Sequence, residues 1–169
     1  MPLLSVPPTD EVSNTACLML GRALYVASSF EDDCRSLAFV LKVRELQPED
    51  DEFFTMLSKA VLGRLFDVQT LIARCTKIKE NYVEFLQTAR VARNYIAHEA
   101  SGDCERLLKI PSGFGQWRNI LASKLQEVVL GKIIVAVLLS RNSAEVMPTQ
   151  EVIDTYPKMI ESWVFETAS

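Results

Sequence analysis

Apolar residues recur in steps of three and four along most of this chain, and that spacing admits helices and little else. Between about residues 10 and 46 the stripe runs through Ala16 and Cys17, Leu20, Leu24, Ala27, Phe30, Cys34, Leu37 and Ala38, and Leu41. One face of an α-helix returns to the same side at those intervals. The stripe predicts a very long first helix, disturbed at Ser28-Ser29. Thr9 or Asp10 caps its start, and Asp10 and Glu11 suit the positive end of the helix dipole. Gln47-Pro48-Glu49-Asp50 ends it and opens the next segment.

Four further regions share the period. Phe53/Phe54, Leu57 and Val61 give a short helix up to a break at Gly63. Val68, Leu71/Ile72 and Cys75 give another over about 64–75. Tyr82, Phe85/Leu86, Ala89, Ala92 and Ile96 mark a helix over about 78–99, terminated by Ser101-Gly102-Asp103. After a turn at Pro111-Ser112-Gly113, Phe114, Trp117, Leu121, Leu125, Val128, Ile133, Ala136 and Leu139 predict a helix over about 114–141. Val152/Ile153, Tyr156, Met159/Ile160 and Trp163 predict a last helix over about 149–166, kinked at Pro157. No segment alternates as a strand does. The expected fold is all-α, an up-and-down bundle of about five to six helices in one domain over 9–169, with residues 1–8 as a flexible lead.

Bulk properties narrow the function classes. Hydrophobic residues are 49% and charged residues 24%, as in an ordinary globular domain. The formal charge of −4 supplies no global basic field, so nucleic-acid binding requires a local patch or a shaped site. Four widely spaced cysteines, no CxxC and a single histidine argue against a structural zinc. Cys17, Cys34 and Cys75 fall on apolar faces and read as buried free thiols. Trp117 and Trp163 read as core. Met1–Pro8 has no basic start and no long apolar run, unlike a signal peptide. Ile133–Leu139 is too short for a membrane span. A cytoplasmic protein without cofactor or metal is expected.

The chemistry-bearing residues concentrate near the end of the third region. His98 is the only histidine, and Arg93 precedes it by five positions. A guanidinium is a permanent cation with a planar fork of donors, and an imidazole exchanges a proton near neutral pH. At 100° per residue, Arg90, Asn94 and His98 share a stripe, while Arg93 stands about 140° from His98, beside the apolar face. The two groups converge on one phosphate only if Arg93 uses its length, if the helix loosens near Ala97, or if a second chain supplies the partner.

Arg93-Asn94-Tyr95-Ile96-Ala97-His98 resembles the R-x4-6-H signature of the HEPN superfamily, in the form with Asn after the Arg and Ala before the His. The long first helix and the motif's place near the end of a central helix are similar too. The resemblance implies a metal-independent RNA endonuclease, often a toxin or defence protein. It further implies a homodimer whose two motifs form one composite site, and pairing with an antitoxin or a nucleotidyltransferase. Arg93 would then bind the scissile phosphate, His98 act as general acid/base and Asn94 orient the site. The subgroup modified by nucleotidyltransferases carries a Tyr two residues after the His. Here that position is Ala100.

Two plainer readings compete. Arg93 pairs with Glu31, Asp32 or Asp33 on the first helix, and His98 faces the negative helix end. The chain would then be a non-catalytic helical interaction module, a regulator or a toxin-antitoxin partner subunit. Arg64, Arg74, Lys77, Lys79, Arg90 and Arg93 form a local basic excess; Arg74, Lys77, Lys79 and Arg90 are the candidates to track an RNA backbone. Glu49-Asp50-Asp51-Glu52 reads as a helix start or a docking point for a basic partner. Gly113-Phe114-Gly115 lacks the pattern of a phosphate loop. Cys104, in an expected loop, is a remote candidate nucleophile beside His98.

Overall fold

The computed structural model describes residues 10–45, 80–143 and 146–166. These residues form five helices and no strand: α1 (Glu11–Glu45), α2 (Glu80–His98), α3 (Ala100–Leu107), α4 (Gly113–Asn142) and α5 (Gln150–Phe165). The fold is an all-α helical bundle with a long first helix. The expected short helices between 50 and 75, with Gly63, Arg64, Arg74, Cys75, Lys77 and Lys79, lie outside the described residues, as do the N-terminal lead and the acidic cluster at 49–52.

α1 spans 35 residues without interruption. Asp10 fixes its first turn: its carboxylate accepts from the Ser13 amide at 2.9 Å and the Ser13 hydroxyl at 2.7 Å. Ser28 and Ser29 do not break it, because Ala27 and Phe30 bury on either side. α4 is the central strut and packs most extensively against α2 and α1. The shared core holds Phe30, Cys34 and Leu37 from α1, Leu86, Ala89, Ala92 and Ile96 from α2, and Trp117, Leu121, Leu125 and Val128 from α4. Gly131 lets the three helices approach: a Cβ there would stand 2.5 Å from the Ala89 Cβ and 2.9 Å from Phe30 Cε2.

The expected stop at Ser101-Gly102-Asp103 is corrected: those residues, and Cys104 with them, lie inside α3. After a single turn residue, Glu99, the chain re-enters helix at Ala100. Ala100 and Leu107 are buried. The Trp117 indole N–H donates to the Ala100 carbonyl at 2.9 Å, and the Tyr95 hydroxyl donates to Asp103 at 2.9 Å. These tertiary ties outweigh the turn propensity of Ser-Gly-Asp. The turn at Pro111–Gly113 is as expected. Ser112 takes a left-handed φ of 62°, and a side chain on Gly113 would strike the Leu107 carbonyl oxygen.

α5 continues through Pro157. Thr149 caps its start by accepting from the Val152 amide at 3.3 Å. Arg22 of α1 caps its end, donating from Nη1 to the carbonyls of Trp163 (2.8 Å) and Glu166 (2.7 Å). Two burial expectations fail. Trp163 is 43% exposed: it meets Tyr25 and the Arg22 guanidinium at the edge of α1 and stays open to water instead of entering the core. Cys17 is exposed, because Ala16 and not Cys17 turns into the core. Among the described residues no helix is long and apolar enough to cross a membrane.

Candidate functional site

The motif occupies the last two turns of α2. Leu86, Ala89, Ala92 and Ile96 face the core. The opposite edge carries exposed Gln87, Val91 and His98 with half-buried Asn94 between them. This division follows from the period: a helix with one buried stripe must show the other side to water. Helical geometry persists through Ala97, so no local loosening brings His98 towards Arg93.

Arg93 leans the other way, towards α1. Its Nη2 pairs with Glu31 Oε2, with side chains 23% and 17% exposed. Of the three acids on α1 that sequence offered, Glu31 is the partner. Asp32 turns to Arg35 (2.7 Å) and Asp33 to Lys132 (2.5 Å). Arg35 also reaches Glu31 at 2.5 Å, so two guanidiniums bracket one carboxylate. The other end of the Arg93 fork turns back along α2: Nη1 donates to Asn94 Oδ1 at 3.1 Å. Asn94 is one turn before His98 on the same stripe, so this bond links Arg93 to the stripe that carries the imidazole. Two of five guanidinium donors are used in these bonds.

The His98 imidazole makes no hydrogen bond or ion pair among the described residues and ends α2 on its exposed edge. Its position in the last turn suits the negative end of the helix. A polar network that sequence did not reveal lies beside it. Asp103 accepts from Tyr95 and pairs with Arg106 at 2.9 Å. Arg106 first, then Tyr95, holds the Asp103 carboxyl below its ordinary value of 3.8. Burial first, then Asp103, raises the Tyr95 phenol, which therefore stays protonated. The network ties the motif's own Tyr95 to α3 and fixes the corner that His98 occupies. Its residues are eight and three positions apart, but only a helical α3 brings them together.

The remaining candidates separate. Arg90 is half-buried, and its Nε is buried with no hydrogen-bond partner among the described residues. Arg74, Lys77 and Lys79 lie outside them, so the basic track is represented by Arg90 alone. Cys104 is half-buried in α3, and burial raises its thiol to about 11, far from an activated thiolate. Ala100, at the position where a modified Tyr would stand, is fully buried beneath Trp117. Among the described residues no group of three His, Cys, Asp or Glu side chains gathers as a metal site would require. Comparison with known proteins gives no match, neither to a family model nor to a curated protein nor to a solved structure.

Proposed function

We propose that the chain is a HEPN-type, metal-independent RNA endonuclease in which Arg93, Asn94 and His98 of two copies form one composite site. The observation that carries the reading is the relay along α2: Glu31 holds Arg93, Arg93 holds Asn94, and His98 stands exposed one turn on. Pre-organisation by a half-buried carboxylate suits a phosphate-binding arginine, because the fork is fixed before the ligand arrives. Among the described residues, three N–H groups of the Arg93 guanidinium lie outside the Glu31 and Asn94 bonds, and these are the proposed donors to a phosphate.

The chemistry requires two copies. When the 2′-hydroxyl of RNA attacks its own phosphate, one group removes the hydroxyl proton and another protonates the departing 5′-oxygen. Charge accumulates on the phosphoryl oxygens and needs fixed donors. One chain has one imidazole. A two-fold dimer joined on the exposed edge of α2 supplies two, with a guanidinium beside each. Exposed Val91, at 55%, gives that edge an apolar centre between Gln87 and Asn94. Toxin or defence activity, with an antitoxin or regulatory partner, is part of the same proposal. So is a cytoplasmic location.

One observation favours a second reading. The Arg93–Glu31 pair alone suffices to dock α2 on α1, as it would in a non-catalytic interaction module. A single-stranded RNA incubated with the purified chain in EDTA separates the two. The enzyme cuts it, and His98→Ala abolishes cutting while the helical circular dichroism is kept. Intact RNA with the wild-type chain supports the module.

A further inference from the structure

A second built site lies on the opposite side of α1 from the Glu31–Arg93 pair. Glu31 and Asp33 are two residues apart and so point about 200° from each other. Asp33 looks into a seam between α1, α4 and α5, where two adjoining hollows of about 260 and 190 Å³ share Lys132 and Tyr156. The first is walled by Ile133, Ala136, Val152 and Ile153, and the second by Tyr25, Val26, Ile160 and Trp163.

The seam has a polar floor. The Lys132 side chain is 11% exposed, and its ammonium donates to Ser29 Oγ at 2.8 Å and Asp33 Oδ2 at 2.5 Å. An ammonium has three donors, so one remains among the described residues. Asp33 is 39% exposed, and among the described residues its Oδ1 accepts no hydrogen bond. Tyr156 sits between the hollows, its phenol raised by burial and then by Asp33 and Tyr25, and so remains a neutral donor. Tyr25 and Trp163 meet edge to face at 5.9 Å and form the aromatic end of the seam. A bound molecule therefore meets apolar and aromatic walls, two donors and one carboxylate oxygen. Because Lys132 and Asp33 cancel, the site selects against net charge.

We propose that this seam binds a neutral planar ring carrying a lactam, an N–H beside a C=O, as in the 6-oxopurine and uracil bases. The C=O accepts from Lys132 or Tyr156, the N–H donates to Asp33, and the ring lies at the Lys132–Tyr156 boundary of the two hollows, between the aliphatic wall of the first and the aromatic end of the second. Either hollow has room for such a ring, and the two adjoin at Lys132 and Tyr156. The site uses none of Arg93, Asn94 or His98, so it stands or falls apart from RNA cleavage. The ring can arrive as a free nucleoside or as one base of a single strand.

The indole N–H signals of the two tryptophans report on binding, because Trp163 edges the seam and Trp117 is sealed in the core. Inosine, and separately a 2′-O-methylated RNA pentamer with one inosine, are titrated into the full chain and followed by NMR. The expected result is a saturable shift of Trp163 with Trp117 unmoved. 1-Methylinosine, which lacks the N–H, binds about tenfold more weakly. Val152→Trp, which fills the seam from a position 51% exposed, abolishes the shift with the circular dichroism intact. Response to inosine identifies a free nucleoside as sufficient, and response to the pentamer alone identifies a strand. The proposal is overturned if neither probe moves Trp163, if 1-methylinosine binds as tightly as inosine, or if Val152→Trp leaves binding unchanged.

Discussion

At the scale of single residues, Arg93 and His98 differ in what their removal should do. His98 is exposed and contacts no polar partner among the described residues. His98→Ala should therefore leave stability within about 0.5 kcal/mol in urea titrations and still eliminate RNA cleavage. Arg93 is tied at both ends of its fork. Arg93→Ala should cost about 1–2 kcal/mol, below the usual figure for a broken buried pair, because Arg35 still neutralises Glu31 and both side chains reach solvent. Glu31→Ala should slow cleavage by about tenfold without abolishing it, since it loosens Arg93 but leaves the guanidinium in place. If the pair is only structural, all three variants bind partners alike and differ in stability alone. The lean of Arg93 towards α1 was legible from its angle on the helix, down to a choice among three acids. The bond to Asn94 was not, because neighbours in sequence point about 100° apart on a helix and meet only through side-chain length. Nor was the Lys132–Asp33–Ser29 cluster, whose lysine lies 99 residues from the aspartate and 103 from the serine and is joined to them by packing alone.

At the scale of elements, two glycines make opposite predictions. Gly21 lies in α1 with open space around it, so Gly21→Ala should stabilise by about 0.5–1 kcal/mol through helix propensity. Gly131 lies where α1, α2 and α4 converge. Gly131→Ala should destabilise despite the same propensity gain, by about 1–3 kcal/mol of overpacking against Ala89 and Phe30. Thermal melts of the two variants should move in opposite directions. The corner between α2 and α3 carries a pH signature. The Asp103 carboxyl titrates below 3.8 in the fold, so its contribution is present above that value and is lost as pH falls through the lower, folded one. Asp103→Asn should flatten that acid limb. The helices α1, α4 and α5 were legible nearly to the residue, because their stripes are long and regular. α3 was not: Ser101-Gly102-Asp103 reads as a terminator, and only the Trp117 and Tyr95 bonds make it helical. The exposure of Trp163 was hidden for a different reason. Periodicity marks a face as apolar without saying whether another element covers it.

At the scale of the whole molecule, the bundle supplies a rigid frame and leaves one imidazole per chain on its surface. A composite site needs the chain to be a dimer at micromolar concentration, and sedimentation velocity should show it. A Gln87→Arg/Val91→Arg double variant, placed on the exposed edge of α2, should yield monomers that keep their helical signal and lose cleavage together. Monomeric wild-type chain would remove the second imidazole and with it the acid–base pair. The most direct measurement is the chemistry of the cut itself. A single-stranded RNA and its counterpart with 2′-deoxyribose at every position are incubated with the chain in EDTA, and the products are weighed by mass spectrometry. Two copies of Arg93 and His98 acting on a 2′-hydroxyl predict fragments ending in 2′,3′-cyclic phosphate from the RNA alone, and none with His98→Ala. Uncut RNA, or cleavage of the deoxy strand at the same rate, would contradict it.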